Sequence, residues 1–291
     1  MQLGVESVNS EGDNMLASNW ASNHGPDFAD QVFAIGDVHG QADALESLLD
    51  HIDSIPRDGR RRELIFLGDL CDRGPDSLRA FELAWNASSL ADARHILPGN
   101  HELMMLIAFE GRRRALADWH RDGGCQTLRC VDPDEDLPLE LAVSALRKAL
   151  PKGLEDLLRG GPTHLVREGI LFVHAGLHPL VEADEFLGQH GTIWRGRFPG
   201  AHWAHVRRPF LAWEDGWEVQ GFKWVVHGHT PATMKPLAAA SDVTELMCAT
   251  ASKRRICVDV GATVCPQVAA VEFLGAQHRL HVAPAPQEAP C

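Results

Sequence analysis

Three times in the N-terminal half of the chain, a short apolar run ends on a glycine followed by an oxygen-bearing side chain. Val32-Phe33-Ala34-Ile35 leads into Gly36-Asp37-Val38-His39-Gly40. Leu64-Ile65-Phe66-Leu67 leads into Gly68-Asp69-Leu70-Cys71-Asp72-Arg73-Gly74, and His95-Ile96-Leu97 leads through Pro98 into Gly99-Asn100-His101-Glu102. Short apolar runs bounded by glycine read as buried strands. After the first, Leu45, Leu48, Leu49 and Ile52 share one face of a helix over Ala42 to Ile52. After the second, Pro75 to Trp85 reads as a helix opened by its proline. Strand, loop and helix in repetition imply a parallel α/β arrangement, whose binding loops gather at the carboxyl ends of the strands. Asp37, His39, Asp69, Asn100 and His101 are therefore expected on one rim.

Residues 101 to about 160 read as mostly helical with a break at Gly123-Gly124, a cap or insertion beside that rim. Strands are expected again at 163–167, 170–173, 224–226, 255–260 and 268–273, with an alternation that suits antiparallel pairing. The fold class is then α/β: a sandwich of mixed sheets flanked by helices. Residues 1–30 are polar and aperiodic and read as a flexible leader. Residues 31–282 read as a single domain, and 283–291, rich in Ala and Pro, as a loose tail. With 291 residues, 45% of them hydrophobic, a sizeable core is available. The net charge of −13 argues against nucleic acid or an anionic membrane as the main partner. The seven cysteines are scattered with no Cys-x-x-Cys spacing, which suits reduced thiols in a cytoplasmic protein. No apolar run approaches the roughly 20 residues of a membrane span. The N-terminus lacks the basic and apolar regions of a secretion signal.

A lone Asp-x-His is weak evidence, because Asp and His after a strand often just cap the next helix. Gly-Asn alone marks many turns. The set is more telling once His174-Ala175-Gly176 and His227-Gly228-His229-Thr230 are added. Carboxylate, carboxamide and imidazole together are ligand types for Mn, Fe or Zn rather than Ca. Asp69 stands in the middle of the set and is the natural bridge between two cations. Cys71 reads as an apolar neighbour, and His227 at most lines the site.

In this order the five stretches resemble the calcineurin-like metallophosphoesterases. Within them they are most similar to the phosphoprotein phosphatases of the bacterial and lambda-phage type, from about Gln31 to Leu274. The resemblance implies a β-sandwich flanked by helices. It implies two divalent metals, Mn²⁺ first, with Fe or Zn as alternatives. Asp37, His39 and Asp69 would hold the first metal, and Asp69, Asn100, His174 and His229 the second. His101 would be the general acid, oriented by Asp72, and Arg73 would clamp phosphate oxygens. A second clamp is expected at Arg195, with Arg197 as runner-up and Trp194 beside them. The implied activity is phosphomonoester hydrolysis of a phosphorylated protein or peptide by a metal-activated water. The alternative is a symmetrical bis(5'-nucleosyl)-tetraphosphate hydrolase acting on a dinucleoside polyphosphate. In that branch Ala commonly replaces the Asp before Arg-Gly, so Asp72 leans towards the protein phosphatase. An inactive phosphate-binding scaffold should have lost a ligand, His101 or Arg73, and none is missing.

Overall fold

The computed structural model describes residues 15–189, 202–251 and 253–284. Two sheets face each other. The first is built on β3 (Phe28–Ile35), β4 (Arg62–Phe66) and β5 (Ala93–Ile96), which run parallel. It is completed antiparallel by β10 (Gln267–Gly275) and β11 (Gln277–Pro284). Two short strands, β1 (Leu16–Ala17) and β2 (Ala21–Ser22), add to β11. The strand order is β1-β11-β10-β3-β4-β5, with β2 also on β11. The second sheet has the order β6 (His164–Arg167), β7 (Ile170–Val173), β8 (Trp224–His227), β9 (Arg255–Cys257).

Two expectations need correction. Residues 15–30 are not a loose leader: Leu16 pairs with Val282, Ala21 with His278, and Ser18 Oγ accepts from the Leu280 amide at 2.9 Å. The polar composition there belongs to an edge that trades side-chain burial for backbone pairing. The same pairing takes Ala283 and Pro284 into β11 rather than a tail. Secondly, β7, β8 and β9 pair parallel; only β6 and β7 pair antiparallel. Ile-Leu-Phe-Val in β7 and Trp-Val-Val-His in β8 are buried throughout, the continuous pattern of a parallel strand covered on both faces. The strand at 268–273 joins the first sheet instead of the second.

Alternation along β3 places the core on both sides of the first sheet. Val32 and Ala34 pack between the sheets with Ile65, Phe172, Val226 and Phe273. Phe33 and Ile35 pack outward with Leu45, Leu48 and Phe81 of the covering helices. Those helices are α1 (Ala42–Ser54) and α2 (Ser77–Asn86). The latter starts after Pro75, capped by the Asp76 side chain, which accepts from the Arg79 amide at 3.0 Å. Next come α3 (Asn100–Ala108), α4 (Arg113–Trp119), α5 (Cys125–Arg129), α6 (Leu139–Ala149) and α7 (Leu154–Gly160). A wide helical turn over His120–Gly124 joins α4 to α5, and Gly123 (φ 126°) makes its kink. Three further helices follow, α8 (Ala183–Leu187), α9 (Arg208–Leu211) and α10 (Ala240–Ala251), the last packed against both β9 and β11. Among the described residues no helix is long and apolar enough to cross a membrane.

Candidate active site

The loops after β3, β4, β5, β7 and β8 converge where the two sheets meet. Asp37, His39, Asp69, Asp72, Asn100, His101, His174 and His229 are all buried there. Backbone geometry is unusual at the same place. His39, Asp69, Asp72, Arg73 and His229 all take left-handed φ, between 47° and 72°. Non-glycine residues rarely do so, and such strain gathers where a side chain must be aimed. Glycines make the close approaches possible. A Cβ on Gly99 would strike the Asp69 carboxylate, and one on Gly228 would strike that of Asp37.

Two groups of possible ligand atoms emerge, each within 4.8 Å of one another: His39, Asp69 and His101, and Asp69, His174 and His229. Asp69 belongs to both. Its Oδ2 lies 3.6 Å from His39 Nε2 and 3.4 Å from His174 Nε2. Carbonyl partners settle the imidazole protons. His39 Nδ1 donates to the Cys71 carbonyl and His174 Nδ1 to that of Leu67, each at 3.0 Å. Both Nε2 atoms therefore face inward, the arrangement metal-bound histidines need. Asn100 Oδ1 lies 3.1 Å from His174 Nε2 and 2.7 Å from His229 Nδ1, on the same spot. Asp37 stands at the edge: its Oδ2 is 3.9 Å from His39 Nε2, and its carboxylate accepts the His229 amide at 3.0 and 3.1 Å.

Burial and mutual repulsion set the charge states. Burial, then Asp259 and Asp69, hold the Asp37 carboxyl well above its usual range. Burial also pushes His39 down to about 4. It opposes ionisation of Asp69 too, but His174 and His101 outweigh it and hold that carboxyl well below its usual range. Carboxylates this close, with His39 and His229 kept neutral by burial among them, suit divalent cations. The donor set fits such a pair.

His101 is built differently. Its Nδ1 donates to Asp72 Oδ2 at 2.7 Å. Burial disfavours its charge, but Asp69 and Asp72 more than compensate and raise its pKa. Asp72 is itself held: Trp119 Nε1 donates to Oδ2 at 2.8 Å and the Thr127 hydroxyl to Oδ1 at 2.6 Å. Its amide donates to Ser77 Oγ at 2.9 Å. Arg73 is exposed, with NH1 3.5 Å from His39 Nε2, and its amide donates to the Gly123 carbonyl.

Several neighbours carried no sequence signal of their own. Glu102 is fully buried and accepts from the amides of Asp69, Leu70 and Gly99, each at 2.8 Å, which pins the Asp69 loop to the start of α3. Asp259, beside Asp37, has its carboxyl pushed up to about 6, chiefly by burial. Arg207 Nε lies 3.1 Å from His229 Nε2. The aspartate and the arginine stand outside the five motifs; Glu102 lies in one whose other members drew the attention. His227 is not in either group: its ring packs edge-on against Phe210 at 4.8 Å, and burial lowers its pKa to about 3. Cys71 is buried with its thiol pushed up by burial, which suits an apolar neighbour. Trp194, Arg195 and Arg197 lie outside the described residues.

The sequence pattern of calcineurin-like phosphoesterases matches residues 31–232, a span that holds every one of these loops. The chain belongs to that family. It is a metallophosphoesterase, a hydrolase of phosphoric esters, and the two-sheet architecture is the metallophosphoesterase fold. Among curated proteins it is similar to the bis(5'-nucleosyl)-tetraphosphatase PrpE [asymmetrical] of Bacillus cereus (strain AH187). The two are 27% identical over 212 residues, 68% of this chain and 77% of that one. The protein of the same name from Bacillus anthracis (strain CDC 684 / NRRL 3495) is 28% identical over the same shares. Among solved structures, a protein serine/threonine phosphatase from Saccharomyces cerevisiae with similarity to human phosphatase PP5 superposes with a TM-score of 0.52. It is 14% identical over 92% of this chain and 83% of that chain, a likeness of fold alone.

Proposed function

We propose that this metallophosphoesterase is a phosphomonoesterase of the serine/threonine phosphoprotein phosphatase type, working with two divalent cations, Mn²⁺ first and Fe or Zn as alternatives. Asp37, His39 and Asp69 would hold one cation, and Asp69, Asn100, His174 and His229 the other. The cations would supply Lewis acidity to the attacking water and to the phosphoryl oxygens. The protein's own groups do the rest. Asn100 and the histidines orient the pair, Arg73 meets phosphoryl oxygens at the rim, and His101 gives a proton to the leaving oxygen.

One observation carries the choice of substrate class: the 2.7 Å contact between His101 Nδ1 and Asp72 Oδ2. An alcohol leaving as alkoxide is strongly basic and needs a proton in the transition state. A leaving nucleotide phosphate, with a second pKa near 6, needs it far less. A histidine held charged by a buried aspartate suits the first task. Nothing here depends on a nucleic acid or a membrane, and we place the enzyme in the cytoplasm.

A second reading is favoured by the names of the Bacillus relatives, which specify dinucleoside tetraphosphate cleavage of the asymmetrical kind. The alternative raised by the sequence was the symmetrical kind, so both product patterns should be looked for. Hydrolysis of a phosphoserine and phosphothreonine peptide panel and of diadenosine tetraphosphate, side by side with Mn²⁺-loaded protein, decides between the readings. Peptide turnover far above nucleotide turnover is expected. The reverse would make this a nucleotide hydrolase, and the products (ATP with AMP, or two ADP) would give its mode of cleavage.

A further inference from the structure

Beside His101, α3 and α4 leave a cavity of about 310 Å³ between them. Met104 and Ile107, one and nearly two turns beyond His101 on α3, line one side, and Ala115 and Trp119 of α4 line the other. The cavity shares a wall with the candidate site. Trp119 Nε1 donates to Asp72, the carboxylate that holds His101. Arg121 and Asp122 also line the cavity, and Gly123 of the same turn accepts the Arg73 amide at 3.1 Å. The charges around the cavity are unevenly placed. Arg114 and Arg121 are 88% and 70% exposed, whereas Asp118 and Asp122 are 32% and 48% exposed. Asp118 meets Arg121 at 3.0 Å. Arg114 Nε lies 3.9 Å from the same carboxylate, beyond hydrogen-bond reach. Arg112 and Arg113, just before it, are exposed too. A chain with a net charge of −13 thus turns guanidinium groups outward at this place.

We propose that this cavity is a specificity subsite for the leaving peptide, and that it takes an acidic side chain next to the phosphorylated residue. The inference rests on the phosphoprotein reading above. His101 gives its proton to the departing oxygen, so the peptide that carries this oxygen lies on the His101 side, where the cavity is. The methylenes of a glutamate there rest on Met104 and Ile107. Its carboxylate meets the guanidinium of Arg114, with that of Arg121 beside it. A lysine in the same place faces two like charges and is turned away.

The test uses Mn²⁺-loaded wild type, Arg114→Gln and Arg114→Glu. The substrates are phosphothreonine peptides identical but for a glutamate, glutamine or lysine at each flanking position in turn, and diadenosine tetraphosphate. The control is p-nitrophenyl phosphate, which has no flank. At one flanking position, wild type should cleave the glutamate peptide with kcat/KM on the order of 3- to 10-fold above the lysine peptide, a gap that narrows as salt rises. Arg114→Gln should shrink the gap and Arg114→Glu should invert it, both with p-nitrophenyl phosphate turnover unchanged. No flanking preference in wild type, or a preference that survives Arg114→Glu, would overturn the proposal. So would an equal loss on every peptide and on p-nitrophenyl phosphate in both variants, which would make Arg114 a support for α4 only. Wild type that cleaves diadenosine tetraphosphate but none of the peptides would instead overturn the phosphoprotein reading, and this inference with it.

Discussion

Two buried polar clusters sit on the same sheet, and they solve the cost of burial in opposite ways. One is the rim cluster beyond the end of β3, with Asp37, Asp69, Asp259 and the histidines around them. The other lies further back along the strands, around Glu272, whose register partner on β3 is Phe33. There Glu272 accepts from Gln31 Nε2 at 2.9 Å, from Arg279 Nε at 2.8 Å and from His281 Nε2 at 2.9 Å. Arg62, fully buried, donates to Gln31 Oε1 at 2.8 Å, and His51 Nε2 lies 3.1 Å from His281 Nδ1. Burial opposes ionisation of Glu272, but His281 and Arg279 outweigh it and bring its pKa down to about 2. At the rim, burial and two neighbouring carboxylates push Asp37 the other way. The first cluster crowds carboxylates together; in the second the one carboxylate meets Gln31, Arg279 and His281. A buried polar cluster that the chain leaves unbalanced marks a binding site, whereas a balanced one marks architecture.

The contrast breaks if the rim tolerates loss of its shared carboxylate. Asp69→Asn is expected to reduce turnover to background and to strip both metals, seen as loss of Mn²⁺ by elemental analysis alongside a phosphatase assay. A variant that keeps both metals and turns over would dissolve the two-group reading. His101→Asn should come next, with kcat down on the order of 10²- to 10⁴-fold and metal content nearly intact. The loss should be steepest for substrates with poor leaving groups. If the metals go instead, His101 is a ligand rather than the proton donor.

Paired substitutions sharpen the contrast on stability. Glu272→Gln takes the counter-charge from Arg279 and weakens the bond to His281, and should cost about 1–3 kcal/mol in urea unfolding, with turnover at 25 °C retained. Asp37→Asn, measured in chelated protein at pH 7, should unfold no more easily than wild type. The carboxylate it removes is one whose ionisation the fold disfavours. Equal destabilisation by the two would mean that the clusters do not differ in kind. The smallest effect concerns pH. Burial, then His24, brings His278 down to about 4 from its ordinary 6.5. Below 6.5 the unfolded chain takes up a proton that the folded chain refuses. Its contribution is therefore complete above pH 6.5 and is lost as pH falls to about 4. Thermal melts from pH 7 to 4 should show the decline, and His278→Asn should make it shallower.

The rim was legible because its candidate ligands come in short motifs at strand ends, where glycine permits a close approach. Asp37, His39, Asp69, Asn100 and His101 could be gathered on one rim from that alone, and the resemblance added His174 and His229. The balanced cluster was not legible. Gln31, Glu272 and His281 lie on three strands and meet only through sheet register, and no local pattern announces a register between segments so far apart in the chain. Glu102 shows the same limit at close range. It lies within a motif, yet its partners are backbone amides of a loop some 30 residues earlier. The second sheet misled for another reason. Short apolar runs such as Ile170–Val173 carry no period that separates a parallel strand from an antiparallel one.

The helices between α3 and β6 have a consequence for how this enzyme can be rebuilt. Trp119 and Thr127 reach out of that segment to both oxygens of Asp72. If His101 is the proton donor proposed above, the segment is part of what delivers the proton, not a decoration that can be trimmed or exchanged for a relative's version. A chimera that swaps it must carry across an indole and a hydroxyl at matching places, or it will keep its metals and lose its grip on the proton.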